Sequence, residues 1–173
     1  MKHTAHRTLL PLLLAAVLMA ACRDVPVVET EAPQGNSLKE NLINANRYIA
    51  GSEEAQIDGY VGRRGWQMQK LAAGARVMET ARGTGRRVEY EDTLHISYRL
   101  EAIDGQTLYG SVDDTVVVGR LQPTRGLDAA LRTLHHGSQA VVVLPSEQGY
   151  GVAGDGDRVG PRMILIYKIK INN

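Results

Sequence analysis

Two hydrophobic periods divide the chain. Leu38, Leu42, Ala45 and Ile49 recur at helical spacing, and Ile57, Tyr60 and Val61 resume the apolar face further on. Ser37-Leu38-Lys39-Glu40 fits a capping box, in which the Ser hydroxyl and the Glu carboxylate satisfy each other's free backbone donors. A second helix, or a continuation, is predicted from near Ser52, with Glu53 and Glu54 in the first turn where acids favour the helix dipole. Gly62 and Gly65 end it. From Ala75 onward the period is two. Leu94, Ile96 and Tyr98 alternate with His95, Ser97 and Arg99, and Leu165, Tyr167, Ile169 and Ile171 are set against Lys168 and Lys170. Ala140 to Leu144 is a continuous apolar run closed by Pro145, the pattern of a central strand, and Asp104-Gly105 signals a turn between strands. The one helix predicted in this half is Gly126 to His135, with Leu127, Ala130, Leu131 and Leu134 on one side. Many strands and one short helix predict an α+β domain in which an antiparallel sheet wraps the helix, preceded by a helical extension. That extension either docks on its own domain or pairs with another copy.

The N-terminus has a different pattern. Lys2 and Arg7 precede an apolar run from Leu9 to Met19, followed by the small residues Ala20 and Ala21, as in a secretion signal. The run is short of the roughly 20 residues that a spanning helix needs. The only cysteine, Cys22, follows at once, and Met19-Ala20-Ala21-Cys22 resembles a bacterial lipobox, with Met at a position that usually holds a branched aliphatic residue. The resemblance implies cleavage before Cys22 and lipidation of its thiol. The other reading is a free or buried cysteine after an ordinary signal peptide. A lone thiol in an oxidising compartment has no disulfide partner, which favours the lipid. The expected organisation is a signal peptide over 1–21, a Pro/Gly-containing flexible tether over 22–36, a helical extension over 37–74 and a domain over 75–173.

Charge narrows the partners. Lys and Arg number 20 against 19 Asp and Glu, a net charge of +1 that provides no drive toward nucleic acid, and no nucleic-acid partner is expected. The glycine-rich stretch 151–156 lacks the Lys-Ser/Thr of a phosphate loop. Asp155 and Asp157 lack the remaining ligands of a calcium loop. Adjacent His135 and His136 point in different directions at a helix end. No cofactor or metal is expected.

Asp104-Gly105, Gly119, Arg125-Gly126-Leu127, His136-Gly137 and Gly149-Tyr150-Gly151, in this order and spacing, resemble the FKBP-type peptidyl-prolyl isomerases. The likeness runs from about Ala75 to Asn173. It implies an FKBP-like fold and a pocket for X-Pro segments. In that pocket Tyr98, Thr124 and Tyr150 take the catalytic positions: a pocket tyrosine, a backbone N–H that meets a substrate carbonyl, and a tyrosine hydroxyl that bonds the peptide. Leu108, Tyr109, Pro123, Leu127 and Tyr167 take the substrate-binding positions, with Leu127 at the floor and Tyr167 on the wall. On residue type alone, Tyr98 and Tyr150 also fit as ordinary core tyrosines.

The chain departs from the family pattern at several of these positions. It has no Phe, and its single Trp, Trp66, lies outside the matching region. Leu127 stands where the family usually carries Trp, Leu108 where it carries Phe, Tyr109 where it carries an Asp that helps orient the amide, and Asp114 where a Phe lines the wall. The expectation is weak isomerisation of proline-containing segments of exported proteins, or a non-catalytic chaperone or assembly module of the same fold. Lipid on Cys22 would hold it to a bacterial membrane facing the periplasm. A lipobox, a helical extension and a Leu-floored domain together resemble the lipoprotein FKBPs that include gliding-motility-associated members.

Overall fold

The structure is a computed structural model that describes residues 35–172. The expected signal peptide, Cys22 and the tether up to residue 34 lie outside the described residues. Residues 35–40 only begin the first helix; the larger unit, Asn41–Asn173, carries the sheet and the core.

The helical periodicity gives one uninterrupted helix, α1 (Gly35–Arg63), so the segment from Ser52 is a continuation. The helix already includes Ser37, and the expected capping box therefore does not mark its start. Gly62 and Gly65 do mark its end: Gly65 N–H donates to Gly62 O at 3.1 Å and Trp66 N–H to Val61 O at 3.2 Å, which closes the last turn. The first expected apolar set is not buried here, as Leu38 is 51% and Leu42 57% exposed. Burial begins at Glu53 and continues through Ile57 and Tyr60.

Six strands follow: β1 (Gln69–Lys70), β2 (Arg76–Ala81), β3 (Thr93–Ala102), β4 (Thr107–Val117), β5 (Gln139–Leu144) and β6 (Leu165–Asn172). They form one antiparallel sheet in the order β1-β2-β5-β6-β3-β4. The Asp104-Gly105 turn joins β3 to β4: Gly105 takes φ +97, where a side chain is strained, and Asp104 Oδ1 accepts from Gln106 N–H at 2.9 Å. Helix α2 (Arg125–Leu131) is shorter than its apolar pattern. Beyond Leu131 the chain tightens into turns, with Thr133 N–H donating to Ala130 O and Leu134 N–H to Leu131 O, which still buries Leu134.

Strands β5 and β6 are apolar on both faces because both faces are covered. Val142, Leu144, Leu165 and Tyr167 join α2 in the main core. Val141, Val143 and Ile166 meet Ile57 and Tyr60 of α1 in a second core. Helix α1 thus docks on its own sheet, and each of its two buried apolar side chains contributes about 1.5–3 kcal/mol. Further along β6 the outer face reverts to the exposed Lys168 and Lys170.

Candidate active site

Four elements and one loop bring the expected residues to the α2 side of the sheet. Alternation on β3 points Tyr98 inward beside Ile96 and Leu100, and β4 adds Leu108. Strand β6 contributes Tyr167, whose ring lies 5.2 Å from that of Tyr98 at 57°. Helix α2 contributes Leu127, and the loop after the 3₁₀ turn Ser146–Gln148 brings Tyr150 against the same cluster. Leu127 and Tyr167 are fully covered, whereas Tyr109 and Tyr150 keep part of their surface. Pro123 is half-buried, one residue ahead of the cap of α2. Cys22, the expected lipidation site, lies outside the described residues.

Thr124 caps α2: its Oγ1 accepts from Leu127 N–H at 3.4 Å and its carbonyl from Asp128 N–H at 3.1 Å. Among the described residues, no hydrogen bond from the Thr124 N–H is found, and the residue is only 3% exposed. Asp128, 1% exposed, accepts from Gly119 N–H at 2.6 Å through Oδ1 and so ties the loop ahead of Thr124 to α2. Its Oδ2 has no hydrogen bond, only the Arg132 guanidinium at 3.6 Å.

Burial sets the ionisation of the tyrosines. It pushes Tyr98 up to about 12, with Tyr150, Asp114 and Asp155 adding to the effect. It also raises Tyr150, and it drives Tyr167 well above the usual phenol range. All three remain neutral hydroxyls near neutral pH. The Tyr167 hydroxyl lies beside Tyr150 and Thr124 but makes no well-formed hydrogen bond, and it is sealed from solvent.

Two carboxylates border the tyrosines. Asp114 pairs with Ile96 across β3 and β4, on the inward face between Val112 and Val116. Asp155 comes from the loop after Tyr150. Its Oδ2 accepts from the Tyr109 hydroxyl at 2.6 Å, and its Oδ1 accepts from the N–H groups of Asp157 and Val159 at 2.9 and 2.8 Å. Burial opposes ionisation there, but the bonds from Tyr109 and these backbone donors prevail and hold the Asp155 carboxyl below its ordinary value. The same Tyr109–Asp155 bond, more than burial, pushes the Tyr109 phenol up to about 12. Tyr109 supplies no carboxylate itself, but it holds one in place. Only glycine fits at 154, where φ is +70 and a Cβ would stand 2.1 Å from Val159 O. Arg158 completes the tie: its guanidinium lies 5.2 Å from the Tyr109 ring centroid and donates to Leu108 O at 3.3 Å.

Sequence reasoning passed over Asp155, which it weighed only as a calcium ligand. Asp114, expected at the wall, does lie on the inward face with Val112 and Val116. His135 and His136 diverge as expected, toward Glu79 at 3.4 Å and Asp92 at 3.2 Å. Among the described residues, no three His, Cys, Asp or Glu side chains gather as a metal set, and no helix is long and apolar enough to cross a membrane.

The family model described as FKBP-type peptidyl-prolyl cis-trans isomerase matches residues 84–172. The chain is similar to the probable FKBP-type 25 kDa peptidyl-prolyl cis-trans isomerase of Pseudomonas aeruginosa, at 31% identity over 110 residues that cover 60% of this chain and 45% of that protein. It is similar also to the probable FKBP-type peptidyl-prolyl cis-trans isomerase FkpA of Neisseria meningitidis serogroup B, at 26% identity over 60% of this chain and 39% of that protein. The chain therefore spans less than half the length of these two curated relatives. Among solved structures, a peptidyl-prolyl cis-trans isomerase of Pseudomonas syringae pv. tomato superposes with a TM-score of 0.61 at 23% identity, over 73% of this chain and 93% of that one. AtFKBP13 superposes with a TM-score of 0.56 at 16% identity, over 62% of this chain and 98% of that one. At these identities the superpositions carry the fold and nothing further.

Proposed function

The chain belongs to the FKBP-type peptidyl-prolyl cis-trans isomerase family, and on that premise we propose that it isomerises X-Pro bonds in exported proteins, slowly. The observation that carries this reading is the convergence of Tyr98, Tyr150 and Tyr167 on one apolar cluster, with Thr124 beside the Tyr167 hydroxyl. Rotation about an amide C–N bond is opposed by about 18–20 kcal/mol because the planar form has partial double-bond character. The twisted form has lost that charge separation, so a dry apolar pocket disfavours the planar form more. Thr124 N–H and the Tyr150 hydroxyl would hold the peptide carbonyls while the proline turns. Leu108, Tyr109, Pro123, Leu127 and Tyr167 would shape the space around the ring. No acid, base or metal is required.

Slow turnover follows from Leu108 and Leu127 in place of rings and from Asp114 on the wall, because a charged wall retains water. The same residues favour a second reading, a non-catalytic chaperone or assembly module, and the complete burial of Leu127 weighs on its side.

Isomerisation of the peptide Ala-Leu-Pro-Phe by the protein, with Tyr98→Ala beside it, separates the two. Turnover above the uncatalysed rate that falls in the variant supports the enzyme. Binding without turnover supports the module, and no binding ends the isomerase reading. The lipobox-like Met19-Ala20-Ala21-Cys22 supports attachment to a bacterial membrane facing the periplasm, through lipid on Cys22. Cys22→Ala should then release the protein from the membrane fraction, and unchanged fractionation would count against the anchor.

A further inference from the structure

One carboxylate on α1 faces the protein interior. Glu53 lies on the same stripe as Ile57 and Tyr60 and is only 7% exposed. It reaches across to the turn ahead of Tyr150, where its Oε2 accepts from Ser146 N–H at 2.8 Å and its Oε1 from Ser146 Oγ at 2.6 Å. Among the described residues it pairs with no cation, and Ser146 alone supplies its hydrogen bonds. A carboxylate is retained in such a place only while its hydrogen bonds are made.

Ser146 is in turn the hub of the loop that carries Tyr150. Its carbonyl accepts from Gly149 N–H at 3.0 Å and from Gly151 N–H at 2.9 Å, the residues on either side of the tyrosine. Gly151 O then accepts from Arg162 N–H at 2.8 Å. Apolar packing does not provide the same tie, because a cavity of about 590 Å³ opens beside Glu53 among Asn46, Ala50, Gly74, Pro145 and Gln148.

We propose that Glu53 is a positioning residue for Tyr150: helix α1, through the Glu53–Ser146 pair, sets the pose of the pocket tyrosine. This rests on the peptide-binding reading above, and it gives the extension a role in the site itself. The chain Glu53, Ser146, Gly149 and Gly151, Tyr150 is continuous in hydrogen bonds and backbone. Loss of Glu53 would leave two buried Ser146 donors unpaired and free the turn to shift.

The test is a double-mutant cycle between Glu53→Ala and Tyr150→Phe, read as the Kd for Ala-Leu-Pro-Phe, with amide hydrogen exchange of Gly151 measured in the same proteins. Glu53→Ala should weaken binding roughly tenfold, the equivalent of about 1.4 kcal/mol, when Tyr150 is present. The loss should fall below about twofold in the Tyr150→Phe background. Gly151 exchange should quicken about tenfold while the amides of β5 keep theirs. Glu53→Gln should restore both readouts, since its amide oxygen accepts from Ser146 N–H and its amide N–H donates to Ser146 Oγ. Equal losses in both backgrounds, or no loss, overturn the proposal. If the wild type binds no peptide, the functional reading fails, and Gly151 exchange alone decides the positioning role: faster exchange supports it, unchanged exchange overturns it. Should Glu53→Ala not fold, Ser146→Ala removes one of the two bonds and is read in the same way.

Discussion

Replacing Tyr167 by Phe should stabilise the protein. The ring is fully buried on β6 between β5 and β3, packs 5.2 Å from Tyr98, and ends in a hydroxyl sealed from solvent without a hydrogen bond. Leaving a buried donor unpaired costs about 1–3 kcal/mol, and Phe removes that cost. The tilted contact with Tyr98 stays, since the substitution leaves the ring in place. The opposing loss is the packing around one oxygen atom, a fraction of a kcal/mol. The expected net gain is about 1 kcal/mol, or a Tm higher by roughly 2–4 °C for a protein of this size. Ionisation does not enter the difference, because burial holds the phenol well above the working range. Urea unfolding, followed by circular dichroism and by the fluorescence of Trp66, gives the two midpoints, and an unchanged m value shows that only stability moved. A loss of 1 kcal/mol or more would refute the reasoning. It would mean that the hydroxyl is bonded to Tyr150 or Thr124 in solution.

Leu127→Ala should cost about 2–5 kcal/mol, because the side chain has no exposed surface and its removal leaves a cavity under α2; a smaller loss in a urea titration would mean that the site collapses. Tyr109→Asp, which restores the family's residue type, should fail to raise turnover: the new carboxylate would face Asp155 and Asp157, which Tyr109 now meets at 2.6 and 3.3 Å. A clear gain in isomerase rate would contradict this. Asp92 tests the acid limb. The Arg86 hydrogen bond, then the Glu89 N–H and, more weakly, His136 hold its carboxyl well below the usual carboxylate range, against the opposing effect of burial. A depressed folded value adds stability that is complete above the unfolded value of about 4 and is lost as pH falls through the folded one. Asp92→Asn should therefore be less stable than the wild type at neutral pH, by a gap that narrows steadily below about pH 4. A gap that stays constant with pH would rule out the Arg86 pairing as its source.

The two periods along the chain were enough to place the helix that ends at Gly62–Gly65, the turn at Asp104-Gly105, and the inward faces of β3 and β6. Periodicity reports local geometry, and a residue's face follows directly from it. Boundaries were less legible. Helix α2 stops at Leu131 although its apolar pattern runs to Leu134, because a tight turn buries the last leucine as well as a helix would. The continuous run in β5 predicted burial on both faces but not what covers them. Leu42 and Glu53 reverse their expected roles for the same reason. The pattern assigned Leu42 to an apolar face, yet among the described residues it is left 57% exposed, and it assigned Glu53 to the helix dipole, whereas Ser146, 93 residues further along the chain, takes it inward.

By itself the sequence determined the α+β class and the order of the elements, since each depends on the spacing of residues near one another in the chain, whereas the shared pocket of Tyr98, Leu108, Leu127, Tyr150 and Tyr167 was implied by the family resemblance and not by spacing. Only the tertiary structure decided that Asp155 stands at Tyr109, that the Tyr167 hydroxyl is sealed, and that α1 holds the turn ahead of Tyr150. Each of these is a meeting of groups far apart in sequence. Hydrogen bonds and burial act over a few ångströms of space, and local periodicity carries no record of which distant groups will share that space.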